Sequence, residues 1–146
     1  MLLIREIVQG DAKAAADLAR QLGYERTPAE VGDWIGSLHR LGDPRMAFVA
    51  CLGDEMVGWI EVSIVWHLQS DPAGLIGGLV VKEGARSGGI GRQLCERAER
   101  WAAEKAVSIM RVTSRSTREA AHRFYLRDGY RQVKMSCVFE KQLRQN

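Results

Sequence analysis

The sequence predicts an α/β protein in which one mixed, mostly antiparallel sheet is flanked by helices. Three observations predict this class. Short apolar runs of strand character alternate with amphipathic runs at helical spacing. Two of the strand runs are joined by Gly53-Asp54-Glu55, a hairpin signal. Other strand runs are separated by whole helices, which must cross over and lie on the sheet faces. The expected order is β-α-α-β-β-β-α-β-α-β.

Residues 2–8 read as the first strand. Asp11 is a good N-cap, and Ala14, Ala15, Leu18, Ala19 and Leu22 make one helical face, with Gly23 as the stop. Thr27-Pro28-Ala29-Glu30 is a capping box with proline at the first helical position. Val31, Trp34, Ile35, Leu38 and Leu41 continue this second helix until Gly42-Asp43-Pro44 ends it. Trp34 and Leu38 read as core residues that can also border a cleft. Residues 46–52 and 56–65 are the hairpin strands, and Gly58 marks a bulge or a close backbone approach. Residues 67–73 form a polar loop.

The stretch 75–104 organises the chain. Leu79-Val80-Val81 suits a strand covered on both faces. A glycine-rich loop follows, and then Ile90, Leu94, Ala98, Trp101 and Ala102 recur at helical spacing. Arg92, Glu96, Arg100 and Glu104 line the opposite side. Residues 106–113 are the next strand, with Val107, Ile109 and Val112 as β-branched members. Ser116-x-x-Glu119 reads as a second capping box opening a helix over 117–127, which Gly129 stops. Residues 130–140 alternate at Val133, Met135, Cys137 and Phe139 as a last strand.

At 146 residues the chain is expected to be one domain, 1–146, with a core of its own. A net charge of +3 with interleaved signs is too weak for nucleic-acid binding but suits an anionic small molecule. Cys51, Cys95 and Cys137 share no ligand spacing, so neither a disulfide framework nor a metal site is indicated, and buried thiols in a reducing compartment are expected. The N-terminus carries no apolar signal region and no run is long enough to span a bilayer. The expectation is a cytoplasmic protein with neither membrane nor nucleic-acid partners.

Gly88, Gly89 and Gly91 leave backbone N–H groups uncovered at a helix start, and Arg86 and Arg92 add positive charge. This is a phosphate cradle. A Walker loop is excluded because Ile90-Gly91 stand where Lys and Ser/Thr are needed. A dinucleotide fingerprint fails because Leu94 holds the third glycine position and no second βαβ half follows. A nucleophile elbow around Ser87 fails because His122 precedes Asp128, the wrong order for that triad.

What remains, Arg86-x-x-Gly89-x-Gly91 after a buried strand, resembles the coenzyme A pyrophosphate loop of the Gcn5-related N-acetyltransferase (GNAT) superfamily, Q/R-x-x-G-x-G/A. A second, separate segment resembles the family's A-x-x-F-Y-x-x-x-G-F/Y motif through Ala121, Phe124, Tyr125, Gly129 and Tyr130. Met56-Val57-Gly58-Trp59-Ile60 resembles its third strand, and the element order is similar throughout. The chain is most similar to small bacterial members labelled aminoglycoside-acetyltransferase-like.

The resemblance implies a GNAT fold and transfer of acetyl from acetyl coenzyme A to a primary amine by direct attack on the thioester. It implies that Leu79 and Val81, with Val80 between them, meet the pantetheine arm through their backbone. It implies that Arg86, Ser87, Gly88, Gly89, Ile90, Gly91 and Arg92 hold the pyrophosphate, and that Tyr125 is the acid that protonates the departing thiolate. No metal is implied.

The departures are specific. Many members carry a glutamate base near Gly77, where this chain has Gly77-Gly78. Many carry an asparagine that contacts the cofactor at the end of the fifth strand; here Ser114-Arg115 stand there, and another register puts Arg118 at that position as the cofactor-binding residue. Glu61 is the candidate substitute base, with a solvent-facing carboxylate as the competing reading. His67, in a loop, can accept a proton near neutral pH, and His122 reads as structural. The missing strand carboxylate also permits a non-catalytic acyl-coenzyme A binding or sensor module. A nucleotide-binding protein is disfavoured by the absent Walker lysine. The resemblance leaves the acceptor itself open; it implies acceptor contacts from about Tyr24 to Leu41 and from Trp66 to Ala73, where Glu25, Glu30, Asp33 and Asp71 suit a polyamine, an aminoglycoside or a protein amine, as they would also suit any solvated surface. Trp66 or hydrophobic strand edges, if exposed, favour a homodimer.

Overall fold

The structure, a computed structural model, describes residues 1–40 and 44–144, with the side chains of His39, Arg40 and Ser87 outside the description. The expected helix end at Leu41, Gly42 and Asp43 falls outside the described residues. The chain forms two compact units, Met1–Thr113 and Ser114–Asn146.

The first unit holds a five-stranded sheet in sequential order: β1 (Leu2–Glu6), β2 (Arg45–Leu52), β3 (Glu55–Val65), β4 (Ala73–Val81) and β5 (Met110–Val112). The first three pairings are antiparallel, and β4 with β5 is parallel. The parallel pair is connected through α3 (Ile90–Glu104), as a crossover requires. Helices α1 (Ala12–Ala19) and α2 (Pro28–Arg40) lie between β1 and β2 in the chain.

The two faces of the sheet bury different sets. Ala47, Val49, Cys51, Met56 and Val80 join Ala15, Leu18 and Ile35 from α1 and α2, with Trp34, Leu38 and Trp59 packed at the margin. Trp34 and Leu38 are thus half-buried members of this layer, as their spacing predicts. Phe48, Ile60 and Val62 alternate to the other face, where α3 contributes Ile90, Leu94, Ala98, Trp101 and Ala102. That is the face read from the sequence, with Cys95 added. Fully burying a residue such as Phe48, Ile60 or Leu94 stabilises the fold by about 1.5–3 kcal/mol.

Local signals mostly behave as read. Thr27 N–H donates to Glu30 Oε1 at 2.9 Å and Glu30 N–H to Thr27 Oγ1 at 3.0 Å, closing the capping box. These bonds hold the exposed Glu30 carboxyl below its ordinary range. Gly23 stops the first helix at φ 90°. Gly58 is a close approach: a Cβ there would stand 2.8 Å from the Val80 carbonyl oxygen. The extra residue of the neighbouring bulge is Val57, since Ala50 pairs with Gly58 and Cys51 with Met56.

Asp11 departs from expectation. It stands before α1, but its carboxylate makes no helix cap. It turns back to accept from Val8 N–H at 2.8 Å and from both Arg5 Nη atoms at 2.8 and 2.9 Å. The Arg5 bonds outweigh the burial of Asp11 and hold its carboxyl below the usual carboxylate value. Asp11→Ala is therefore expected to lower stability at pH 7 by about 2 kcal/mol, the scale of a charged hydrogen-bond set. A depressed folded pKa gives stability that is full above about pH 3.9 and is lost as pH falls through the folded value. Urea denaturation of both proteins at pH 7 and pH 3 should show the gap closing at the lower pH.

Strand β5 is shorter than the expected 106–113, for a local reason. Ala106 adopts φ 65° and Val107 N–H reaches back to Ala102 O while Ala106 N–H donates to Ala103 O. Those residues end α3 in a Schellman turn and are unavailable to the strand.

In the second unit, α4 spans Glu119–Arg127. The expected capping box is not formed: Arg118 is the N-cap, and Ser116 lies in the turn before it. The C-terminal stop is as read, with Gly129 at φ 94°. Residues 130–144 carry no strand, so the expected last strand is not paired in the structure. Alternation alone cannot make a strand; its peptide groups need a neighbour. Cys137 is accordingly exposed, whereas Cys51 and Cys95 are buried as expected. No helix among the described residues is long and apolar enough to cross a membrane.

Candidate active site

The site is built around a bulge in β4. Val62 pairs with Ile76 and Glu61 with Gly78, so Gly77 is an extra residue on β4. Pairing with β5 ends at the same point, at Ile76 opposite Val112. Beyond it, among the described residues, the rest of β4 is paired only with β3. Lys82 N–H donates to Val57 O of β3 at 2.7 Å. By strand alternation the peptide groups of Leu79 and Val81 turn the other way, to the open edge. Val80 points its side chain into the α1–α2 core layer.

At the end of this edge the chain makes a 3₁₀ turn over Arg86–Gly88 and enters α3. Gly89 is the N-cap at φ 71°, a left-handed conformation that L side chains adopt only with strain. Among the described residues no side chain caps this helix start. The first intrahelical bond runs from Gln93 N–H to Gly89 O, so the N–H groups of Ile90, Gly91 and Arg92 point out of the helix end. Gly88 and Gly89 are exposed and keep side chains away from these donors. The result is a positive helix terminus at the open strand edge, which suits an anion.

The two loop arginines are engaged. Arg86 Nε donates to Val81 O at 3.3 Å, and Arg92 Nε pairs with Glu96 at 3.1 Å. Gln21, which sequence reading missed, donates to the same Val81 oxygen at 2.9 Å and accepts from Glu83 N–H at 3.1 Å. It pins the end of β4 from a position 60 residues away. No local pattern marks it.

Glu61 lies across from the bulge. Ala47, opposite Glu61, and Val49, opposite Trp59, belong to the α1–α2 layer, so Glu61 and Trp59 project to that side. A Cβ built on Gly77 would lie 2.5 Å from Glu61 Oε1. The carboxylate thus fills the space that a side chain at Gly77 would need. Gly78 has an equivalent relation to the Trp59 ring, at 3.1 Å, and Trp59 Nε1 is fixed to Ala15 O at 3.1 Å. Burial pushes the Glu61 carboxyl above its ordinary value, with Arg45 pulling weakly the other way. Arg45 donates to Ser37 Oγ at 2.9 Å and stacks over Trp34 with Cζ 5.4 Å from the ring centre.

The acids expected to draw in the acceptor are partly spent on other contacts. Glu25 pairs with Arg20 at 3.6 Å, and Glu30 with Arg26 at 3.3 Å. Asp33, Asp71 and His67 are exposed, as is Trp66.

In the second unit the Phe-Tyr motif has a clear physical basis. Tyr130 N–H donates to Tyr125 O at 2.9 Å and Gly129 N–H to Leu126 O at 3.3 Å, the paired bonds of a Schellman stop. That turn brings the Tyr125 and Tyr130 rings to 5.6 Å, edge to face, and Phe124 lies 5.1 Å from Tyr125. His122 Nε2 bonds Arg115 O at 2.8 Å, a structural tie as its position predicts. Arg118 serves its helix as N-cap.

Comparison with known proteins agrees with this architecture. The family model described as Acetyltransferase (GNAT) family matches residues 14–130. The aminoalkylphosphonate N-acetyltransferase of Salmonella typhimurium is 35% identical over 99 residues, which cover 66% of this chain and 64% of that relative's length. Among solved structures, AAC(6')-Iy in complex with a bisubstrate analog, CoA-S-monomethyl-acetylneamine, superposes with TM-score 0.83 at 19% identity, covering 98% of this chain and 99% of its own. The aminoglycoside 6'-N-acetyltransferase AAC(6')-Ih from Acinetobacter baumannii does so with TM-score 0.84 at 17% identity, covering 98% and 99%. At such identities the structural likeness speaks for the fold.

Proposed function

This chain belongs to the acetyltransferase (GNAT) family, and from that premise we propose that it transfers acetyl from acetyl coenzyme A to the primary amine of a small molecule. The observation that carries the reading is the open edge of β4 running into a glycine-lined helix start that no described side chain caps. An extended pantetheine arm fits such an edge as an added strand does, through the Leu79 and Val81 N–H groups. The donors of Gly88 to Arg92 then receive the pyrophosphate.

Catalysis in this reading asks four things of the chain. The edge and loop orient the thioester. A peptide N–H of β4 stabilises the oxyanion. Glu61 takes a proton from the substrate ammonium, which frees the lone pair of the attacking amine, and the second proton that the nitrogen loses after attack balances the one given to the thiolate. Tyr125, assigned by its place in the sequence motif, returns a proton to the thiolate. One N–C bond forms, one C–S bond breaks, and the products are an amide and free coenzyme A. A raised carboxyl pKa suits Glu61 to this task, because a base works best when its pKa lies nearer the operating pH.

For the acceptor we propose a small amine that also carries an anionic group. Arg45 lies on the same sheet face as Glu61, two residues along β2 from Ala47, the partner of Glu61, and its charge is felt at that carboxylate. Glu25 and Glu30 are held by their own arginines, which disfavours a polycation. The relative named for aminoalkylphosphonates points the same way. The test is coenzyme A thiol release with an aminoalkylphosphonate, a neutral alkylamine of equal length and an aminoglycoside. The phosphonate should be the best substrate. Arg45→Met should raise its KM by about tenfold or more, on the scale of one charged hydrogen bond, and leave the neutral amine unchanged. Equal turnover of all three amines would contradict the acceptor assignment, and no thiol release with any would contradict the enzymatic one.

A further inference from the structure

We propose that Gln21 is a positioning residue for the acetyl donor: its carboxamide holds the open edge of β4 at the angle to the start of α3 that lets one molecule occupy both. This deepens the acetyltransferase reading and rests on it. Two peptide groups carry the chain out of β4, those on either side of Lys82. Lys82 N–H donates to Val57 O at 2.7 Å, and Lys82 O accepts from Ala85 N–H at 3.0 Å. One carbonyl and one N–H remain, Val81 O and Glu83 N–H. Gln21 takes both, donating to the first at 2.9 Å and accepting from the second at 3.1 Å. A primary amide suits this pair because it carries a donor and an acceptor side by side without charge. With all four groups bonded, neither peptide plane can turn without breaking a hydrogen bond.

The place of this clamp gives it a consequence for the ligand. Val81 O lies on the open edge, by the alternation that sends Lys82 N–H to β3. It also accepts from Arg86 Nε at 3.3 Å, so both of its lone pairs are used. A pantetheine arm added along this edge meets Leu79 and the Val81 N–H and finds the next acceptor taken. It leaves the strand there and turns to the donors at the start of α3. Gln21 is itself well anchored. It lies in the 3₁₀ turn Arg20–Leu22, where Leu22 packs against the buried layer and Gly23 N–H donates to Arg20 O at 2.9 Å. A ligand that spans two subsites gains its full affinity when their relative position is set before it arrives.

The test compares a ligand that spans both subsites with one that fills the strand edge alone. Acetyl coenzyme A is titrated calorimetrically into full-length wild type, Gln21→Met and Gln21→Asn. S-acetylpantetheine is measured on the same proteins by competition against it. Methionine keeps the length of the side chain and loses both bonds, and asparagine keeps the amide but is one methylene short of both partners. Each variant should bind acetyl coenzyme A about tenfold more weakly, the scale of two neutral hydrogen bonds, and S-acetylpantetheine within about twofold of wild type. A general loss of structure would weaken both ligands together, and that outcome overturns the proposal. So does unchanged affinity for acetyl coenzyme A in both variants. A wild type that binds neither ligand overturns the acetyltransferase reading, and this one with it.

Discussion

Glu61→Gln is expected to lower the maximal rate of acetyl transfer by between about 100-fold and 10,000-fold, the range for removing a positioned general base. Glutamine keeps the shape beside Gly77 and removes only the ability to take a proton. The pH profile should change with it. Burial raises the Glu61 carboxyl in the folded protein, so wild-type activity should climb along an acid limb lying above the ordinary glutamate value of about 4.3. That limb should vanish in the variant, leaving the limb that belongs to the amine. Stability moves in the other direction. A carboxyl raised on folding opposes the folded state increasingly as pH rises past its unfolded value and fully above its folded one, so removing it relieves that opposition. Glu61→Gln should melt no lower than wild type at pH 7, which separates a chemical loss from an unfolded protein.

Gly89→Glu is expected to weaken binding of acetyl coenzyme A by at least about 100-fold, the loss of two charge-assisted hydrogen bonds at roughly 1.5–3 kcal/mol each. The substitution places a carboxylate where the helix terminus would meet phosphate. It also puts a side chain on a residue at φ 71°, which costs about 1–2 kcal/mol in strain. A Cβ there meets no heavy atom within 4 Å, so the fold accommodates it. Calorimetric titration with thermal melting beside it reads both effects. Binding unchanged in the variant would move the pyrophosphate away from this loop.

Much of the fold was readable because its signals are local. The box at Thr27 and Glu30, the stops at Gly23 and Gly129, and the buried stripe of α3 each depend on residues a few positions apart. What escaped reading depends on distant partners. Asp11 looks like a cap until Arg5 on β1 reaches it. Gln21 has no visible purpose until the end of β4 arrives beside it. The last segment has the alternation, but residues 130–144 carry no strand among the described residues. The candidate site divides the same way. The glycine loop was legible, since a helix start and its donors are set by adjacent residues. The match of Glu61 to Gly77 was not, because it rests on a one-residue bulge in the pairing of two strands. A bulge shifts which residues face each other, and nothing in either strand's alternation announces it.

That match can be tested by moving the carboxylate. Glu61→Ala opens the space beside Gly77, and Gly77→Glu in the same chain returns a carboxylate to it from the other strand. The measurement is the steady-state rate of thiol release for the double variant against Glu61→Ala alone. A carboxylate acting as base at the β4 bulge predicts at least about tenfold recovery, part of what a positioned base supplies. A Glu61→Ala variant as fast as wild type would contradict it.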